Sequence, residues 1–524
     1  MKKSIKKLSL STRTIEGDLR TFFESEDSLP SDASEVDAQP AINLEGALKL
    51  FDDLREGRRG ILEPARESRW THPSVVGLRE ADPVSWVISR ARQLVLKSIE
   101  RGWLGPPYNP FALAEMEGIK LLPTEEVLDA ETRSDSAEHF TIRFNPQRPV
   151  ARMRYSIAHE LGHYLFPDCA AATRSRATHT QMKADDWQLE SLCNMAAAEI
   201  LMPSGAFREE LSIKPTIKLV LELRRKYLVS CEAVVNRLMR LSAYPCVGFI
   251  ARLNAATSRY FVEYRIPSVG LKEKLSIGRG HVLPRSSRAS KCLAIGAEQC
   301  EEARWISSGG PWIVEYLGIS PNPSETFPRV LALASPYADT PPHVDEPLML
   351  VKGNALEPTG AEAKLLLQVV NDQAQIWGGG FAKQVRARWP RAQAEFRQWA
   401  YGRRNLKLGN IHWVDLREDL TLVSLVAQHG FGKPTSGPRL RYGALFSALE
   451  KVSQLARERD AAVHMPHIGT GEAGGNWEII RGIIEETLVS QGVKVTIYDL
   501  TDRTADAPRQ PSIGFPKGLA DEVM

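Results

Sequence analysis

Apolar and polar positions alternate along this chain in two different rhythms, and the change of rhythm marks the parts. From Val84 to Gly102 apolar residues return every three or four positions, which predicts an amphipathic helix stopped by Gly102. Pro106-Pro107-Tyr108-Asn109-Pro110 reads as a turn into a second helix, Phe111 to Glu117. Ile119–Leu122 and Phe140–Phe144 are short and rich in apolar or β-branched residues, so they read as strands. Two helices follow, Ala151–Leu165 and 185–201, the second closed by Met202-Pro203. After residue 246 the period shortens. Val247–Arg252 and Arg259–Arg265 read as paired strands and Trp312–Leu317 as another, in a stretch where Gly and Pro are frequent. From about Leu348 to Leu500, apolar runs alternate with helical stretches. Leu365–Val370, Ala461–Met465 and Val493–Tyr498 are candidate buried strands. Phe381–Trp389, Tyr442–Arg459 and Trp477–Gln491 are candidate helices. Such alternation predicts an α/β layered domain.

Length and composition narrow the class. A chain of 524 residues exceeds one compact core and implies several domains. With 43% hydrophobic residues, 25% charged residues and a formal net charge of +3, nothing global points to nucleic acid or an anionic membrane. No apolar run is long enough for a transmembrane helix, so no membrane partner is expected. The basic N-terminus, Met1 to Lys7, is not followed by an apolar segment and does not read as a secretory signal. The six cysteines are scattered without CxxC spacing, which fits a reducing cytoplasm. Residues 1–45, with the acidic, Ser-rich run Glu24–Asp32, read as a solvated tail, and 503–524 as another.

The strongest local chemistry is His159-Glu160-Leu161-Gly162-His163. On a helix, positions i and i+4 lie about 40° apart and one turn apart, so two imidazoles can share one ion. Glu160 then sits beside the open position, where a carboxylate takes a proton from water and hands it to a leaving amine. The bland alternative is a pair of exposed or core histidines. Against it, Tyr155–Ala158 and Tyr164–Phe166 make this helix largely apolar, and two histidines and a glutamate buried there need an ion or partners. A hydrolytic zinc needs a third protein ligand. Glu190 on the next helix is the first candidate, with Asn194 one turn later and the small Ala196, Ala197 and Ala198 allowing close approach. Glu199 is its rival, and Asp168, Asp185 and Asp186 are weaker ones.

The segments Arg154–His163 and Glu190–Pro203, with Gly105–Pro110 and Gly118-Ile119 upstream, resemble ImmA/IrrE-type metallopeptidases over about residues 80–245. The resemblance implies a zincin-like α+β domain, Zn2+ held by His159, His163 and Glu190, and Glu160 as general base. It also implies cleavage of a specific regulator protein in response to stress or phage. Ala196 departs from the family, which often has a bulky aromatic there. Residues 216–241 look like a helix-turn-helix with seven basic side chains between 214 and 240, against Glu222 and Glu232. Structural packing and phosphate contact with DNA are both open readings of that stretch.

Two glycine-rich stretches, Asn371–Phe381 and Gly469–Trp477, each follow a strand and precede a helix. Glycine lets backbone approach a phosphate closely, and helix N-terminal amides bind anions. Together with Gly353-Asn354-Ala355, His464–Ile468 and Tyr498–Leu500, they resemble a macro domain over about residues 346–502, in its ADP-ribose-1″-phosphate phosphatase and terminal ADP-ribose hydrolase branch. The resemblance implies that Trp377, Gly378, Gly379, Gly380 and Phe381, with Gly469, Thr470, Gly471, Glu472, Ala473, Gly474 and Gly475, surround a diphosphate. Asn371 would meet the distal ribose, and Asn354 the adenine edge, where the family usually has Asp. The hydrolase branch uses a lysine and an acid near positions that here hold Gln428 and Ala473, which leaves Asp372 and Glu472 as the loop carboxylates able to activate water.

The expected architecture is multidomain. After the tail, residues 46–245 form the metallopeptidase domain with its helix-turn-helix-like end, 246–345 a β-rich connecting domain, and 346–502 a three-layer α/β macro domain. The leading functional reading is a zinc endopeptidase regulated by, or coupled to, a domain that binds ADP-ribose or a derivative. One alternative is an ADP-ribosylation eraser with the zinc domain as its specificity part. Another is a non-enzymatic DNA-binding regulator.

Overall fold

The computed structural model describes residues 70–78, 82–136, 139–171, 174–175, 185–207, 210, 213–255, 257–273, 275–307, 310–321, 327–337, 348–373, 376–431 and 438–499. Both tails, 1–45 and 503–524, lie outside them. The chain divides into two units. One holds residues 109–197 and 214–340, and the other holds 84–108, 198–213 and the residues from 341 onward. The first long helix, α1 (Pro83–Glu100), belongs with the second unit.

In the first unit, α2 (Pro110–Met116) starts where the Asn109 side chain accepts the Phe111 amide. It is followed by β1 (Lys120–Pro123), β2 (Ala130–Ser136) and β3 (His139–Phe144). With the two-residue β4 (Arg174–Ser175) these strands form a sheet of order β1-β3-β2-β4, in which only the β1–β3 pair is parallel. Helix α3 (Val150–Tyr164) packs on β2 and β3, and α4 (Asp186–Leu201) carries the second signature segment. Helices α5 (Ile217–Tyr227) and α6 (Cys231–Leu241) meet at a turn where Leu228 takes φ 52° and Ser230 caps α6 through the Ala233 amide.

The connecting region is a five-stranded antiparallel sheet. Its strands are β5 (Val247–Asn254), β6 (Arg259–Pro267), β7 (Glu298–Ala303), β8 (Trp312–Ile319) and β9 (Arg329–Pro336), in the order β6-β5-β9-β8-β7. Along β6, Tyr260, Val262, Tyr264 and Ile266 are buried at every second position, the pattern of a half-buried strand. The sheet is tied to α6 by Glu232, which pairs with Arg329 at 3.1 Å and accepts the Tyr264 hydroxyl.

The second unit is a six-stranded sheet between two helix layers. It comprises β10 (Leu348–Lys352), β11 (Ala363–Asn371), α7 (Gly380–Arg388), α8 (Pro390–Trp399), β12 (Ile411–Arg417), β13 (Leu420–Gln428), α9 (Tyr442–Glu458), β14 (Ala461–Pro466), α10 (Trp477–Thr487) and β15 (Val495–Asp499). The strand order is β10-β15-β14-β11-β13-β12, parallel except for the β12–β13 pair. Alternation along the strands feeds two cores. Leu365, Leu367, Val423 and Leu425 pack with α9 and α10, while Leu366, Leu422 and Val426 pack with α7 and α8. The layers expected for this region are therefore present.

Residues 84–108 and 198–213, expected within the 46–245 domain, group with the second unit instead. Leu96 of α1 enters the core beneath α9 and α10, and polar contacts fix the rest of the helix there. The Ser89 hydroxyl donates to Glu450 at 3.0 Å, Gln93 donates to the Ser447 hydroxyl at 3.1 Å, and Glu100 accepts the Gly443 amide at 3.1 Å. Arg92, buried, pairs with Glu199 at 2.7 Å and also meets Glu486 of α10 and the Ser204 hydroxyl. An amphipathic pattern shows that a helix face is buried and is silent about what covers it.

His464 on β14 is 3% exposed, and its Nδ1 lies 3.0 Å from the Tyr498 hydroxyl, which also accepts the Thr359 amide. Burial pushes His464 down to about 4, and the Lys364 ammonium adds to the effect. A histidine that titrates near 6.5 unfolded and about 4 folded takes up its proton first in the unfolded chain. Its contribution to stability is therefore whole above pH 6.5 and is lost as pH falls from 6.5 towards 4. We expect His464→Gln to flatten the pH dependence of unfolding in that window by up to about one proton's slope, roughly 1.4 kcal/mol per pH unit. Denaturant titrations at pH 7, 6 and 5 measure it, and an unchanged slope would refute the assignment.

Candidate metal centre and glycine-loop site

Helix α3 presents His159, Glu160 and His163 from its buried face, all at 1% exposure or less. Helix α4 crosses them so closely that a Cβ on Gly162 would lie 2.9 Å from the Cα and carbonyl oxygen of Cys193. The small residue that permits the approach is thus Gly162 on the first helix. This contact sets Glu190 opposite the two imidazoles, with Oε2 2.9 Å from His159 Nε2 and Oε1 3.4 Å from His163 Nε2. One donor atom from each of His159, His163 and Glu190 falls within 4.8 Å of the others.

The supporting contacts settle which nitrogens are available. Asn194 Oδ1 accepts the Tyr155 hydroxyl and lies 2.8 Å from His159 Nδ1. An oxygen cannot donate, so Nδ1 carries the proton and the Nε2 lone pair faces the Glu190 carboxylate. Two acceptors 2.9 Å apart need a proton or a cation between them. His163 Nε2 and Glu160 Oε1 are buried without a hydrogen-bond partner, which is costly unless something else occupies them. Two imidazoles and a carboxylate, converging and buried with orphaned donor atoms, fit a tetrahedral divalent site with one open position.

Electrostatics follow the same geometry. Desolvation works against the Glu190 carboxylate, but the His163 and His159 imidazoles overcome it and hold Glu190 well below the usual carboxylate range. Burial pushes Glu160 up, partly offset by His163, His159 and the Thr132 hydroxyl, which donates to Oε2 at 2.8 Å. Thr132 was not legible in the sequence, because it lies on β2, whose residues Ala130–Ser136 carry no apolar period.

The rival ligands are engaged elsewhere. Glu199 pairs with Arg92 and accepts the Ser204 amide at 3.2 Å. Asp168 accepts the Ser74 hydroxyl at 2.6 Å, and Asp186 lies 3.6 Å from His72 Nε2. The Asp185 carbonyl accepts the Gln188 amide, and none of the four joins the cluster.

In the second unit, three adjacent parallel strands, β14, β11 and β13, end side by side. The C-terminal edge of a parallel sheet is where such folds take ligands. The two glycine loops converge there, and the Glu472 carboxylate occupies the space where a Cβ on Gly379 would stand. Gly378 and Gly471 face open space, as does Gly380, whose φ of 53° favours glycine. Gly379 caps α7 without any side chain on the first-turn amides, so that helix end is open to an anion. The end of α10 differs, since Asn476 accepts the Glu478 and Ile479 amides itself.

Other expected contacts are redistributed. The Trp377 ring is buried at 3% exposure against Phe396, and its amide donates to Gln393. Trp377 is therefore a core residue and not part of the loop surface. Ala473 is buried, and its carbonyl accepts the Arg439 and Leu440 amides. Gly474 takes φ 66°, Gly475 and Gly469 pack against Leu440, and the Thr470 hydroxyl donates to the His467 carbonyl. Phe381 packs at the rim of the core shared by α7 and α8. Asn354 and Asn371 each accept the amide two residues on, at 3.0 Å, closing tight turns at the strand ends. Asp372 Oδ1 accepts the Gly430 amide at 2.9 Å, and Oδ2 lies 2.7 Å from His429 Nδ1. His429 was not singled out in the sequence, where it is one polar residue after a strand.

Residues 117–239 match the family model of the IrrE N-terminal-like domain. The chain is 28% identical over 181 residues to the radiation response metalloprotease IrrE of Deinococcus radiodurans, a match that covers 32% of this chain and 55% of that protein. It is 29% identical over 160 residues to the chromodomain-helicase-DNA-binding protein 1-like of Danio rerio, covering 28% of this chain and 15% of that protein. It thus spans about half, or less, of the curated relatives it matches. Among solved structures, a macrodomain protein from Streptomyces coelicolor is 32% identical, with a TM-score of 0.26 over 29% of this chain and 98% of that one.

The close approach at Gly162 makes a direct prediction. Gly162→Val must move α4 away from α3, and overpacking of this kind costs about 1–3 kcal/mol. Bound metal, measured by elemental analysis of purified protein, should fall from about one ion per chain to a small fraction, as in His159→Ala and Glu190→Ala. Full occupancy in Glu190→Ala would remove that residue from the ligand set.

Proposed function

We propose that this protein is a zinc-dependent endopeptidase that cuts a specific regulatory protein and is governed by an ADP-ribose-type ligand held at the glycine loops of the second unit. The observation that carries the first half is the buried convergence of His159, His163 and Glu190 with Glu160 beside them. When bound, the ion would lower the pKa of water and polarise a peptide carbonyl. The chain's own residues do the rest. Asn194 orients His159, Thr132 fixes one Glu160 oxygen, and the other oxygen is left to take a proton from water and pass it to the departing amine.

The second half rests on the converging glycine loops at the sheet edge and the open N-terminus of α7, a geometry that suits a diphosphate. The likeness to a radiation response metalloprotease supports a role in stress, and we extend it to phage defence as part of the proposal. Six free cysteines suit a cytoplasmic setting. A DNA-binding role through residues 216–241 would have to draw on Lys218, Arg225 and Lys226, which are exposed, because Arg237 is buried. The eraser reading gains from the Asp372–His429 contact.

Glu160→Gln should keep the metal and lose peptidase turnover by about 10²–10⁴-fold, the usual worth of a general base. New protein N-termini, labelled after incubation of cell extract with the full chain, report cleavage with and without added ADP-ribose. Calorimetry with ADP-ribose reports binding directly. Undiminished cleavage by Glu160→Gln or after chelation would overturn the peptidase half, and an absence of ADP-ribose binding would overturn the second.

A further inference from the structure

Glu190, Cys193 and Asn194 occupy positions i, i+3 and i+4 of α4, so they stand together on one side of a single turn. That side is pressed against α3, where the Cα and carbonyl oxygen of Cys193 would lie 2.9 Å from a Cβ on Gly162. Glu190 faces Nε2 of both imidazoles, and Asn194 Oδ1 lies 2.8 Å from Nδ1 of His159. The remaining ring nitrogen, His163 Nδ1, lies 3.3 Å from Cys193 Sγ, its one hydrogen-bond partner among the described residues. Both sides of this contact are sealed, with His163 1% exposed and Cys193 0%. A ring nitrogen buried so deeply cannot turn to bulk water for a partner. A short side chain suits the gap, because the Cβ of Cys193 itself stands only 3.1 Å from where a Cβ on residue 162 would be.

We propose that Cys193 is a positioning residue of this centre: its sulfur accepts the Nδ1 proton of His163 and so presents the Nε2 lone pair towards Glu190. The proposal rests on the reading of His159, His163 and Glu190 as a metal-binding trio. A neutral imidazole has one ring lone pair, and a proton fixed on Nδ1 leaves it at Nε2. This agrees with His163 Nε2 being buried without a hydrogen-bond partner. A thiol that donated to Nδ1 instead would put the ring proton on Nε2, facing the carboxylate, and close the trio to a cation. One turn of α4 thus supplies the carboxylate and a partner for each imidazole. The two partners are unequal, since sulfur is a weak acceptor and an amide oxygen a good one. His163 is therefore the more weakly oriented of the two imidazoles, and an oxygen at position 193 can take over the same task. Cys193 itself does not join the trio, and it acts only through His163.

The test measures zinc affinity, by competition with a chelating dye, for the full chain and for its Cys193→Ala and Cys193→Ser variants. Removing the acceptor in Cys193→Ala should weaken zinc binding by about 10–100-fold, the usual cost of losing a partner that orients a ligating histidine. Cys193→Ser keeps a short acceptor in nearly the same volume and should recover most of that loss. A second readout follows the ring N–H signals by NMR in zinc-loaded protein carrying isotope-labelled histidine. Cys193→Ala should shift the Nδ1–H signal of His163 and leave that of His159, held by Asn194, in place. Unchanged zinc affinity in Cys193→Ala, equal weakening in both variants, or an unmoved His163 signal each overturns the proposal and leaves the metal centre standing. No zinc binding by the wild type overturns both.

Discussion

The first unit's chemistry depends on how closely two helices can approach. α3 and α4 meet where a glycine faces the backbone of Cys193, and no side chain at position 162 would leave the same separation. That separation brings a carboxylate from one helix to within 3.4 Å of imidazoles on the other. It also seals Glu160, His159 and His163 from water. Ionisable groups in such a place are unfavourable alone, so the packing that creates the cluster also creates a demand for a cation. Glu190 low and Glu160 high are two consequences of one burial. The first faces two imidazoles and stays charged; the second keeps one oxygen unpaired and resists ionisation.

The second unit's sheet edge is built on a different principle. Its loops offer backbone instead of side chains. Glycines keep that edge free of side chains, and α7 begins there with no side-chain hydrogen bond on its first-turn amides. One buried cation of this unit lies away from that edge. Arg92 is kept protonated between Glu199 and Glu486, against the cost of its own desolvation, and it anchors α1 and residues 198–213 to the α10 face. Breaking one side of such an arrangement strands a buried charge, which makes the added helix integral to the unit.

Periodicity exposed most of the helices and the apolar strands, because each buries one face or both and so carries its own signal. The convergence of His159, His163 and Glu190 was equally legible, since HExxH spacing and the carboxylate on the next helix are local patterns. What was hidden depended on neighbours distant in sequence. β2 reads as polar because its Thr132 contacts an internal glutamate and not solvent. β12 pairs antiparallel with β13 on the rim of the sheet and keeps Trp413 47% exposed, so it shows no continuous apolar run. The allegiance of α1 was hidden for the same reason, and so was His429, whose meaning comes from the strand beside it. Trp377 was misplaced because glycine-rich surroundings suggest a surface, while its ring turns inward to Phe396.

The helix-turn-helix-like stretch shows how far a charge count can mislead. Seven basic residues between 214 and 240 suggest a phosphate-binding face, but they do not share one. Arg237 is buried, and Arg240 is half-buried, with desolvation lowering it to about 10. The turn itself is held from α3. Arg154, five residues before the first imidazole of the HExxH, donates to the carbonyls of Tyr227 and Leu228, and burial lowers it too to about 10. Those carbonyls belong to the helix end that α5 would otherwise leave unsatisfied. Arg154 therefore caps α5 from the helix that carries His159 and His163. The two-helix element is then most simply a brace for α3, with Leu223, Tyr227, Val234 and Leu238 as its buried face. Its exposed lysines and arginine are the solvated side of that brace.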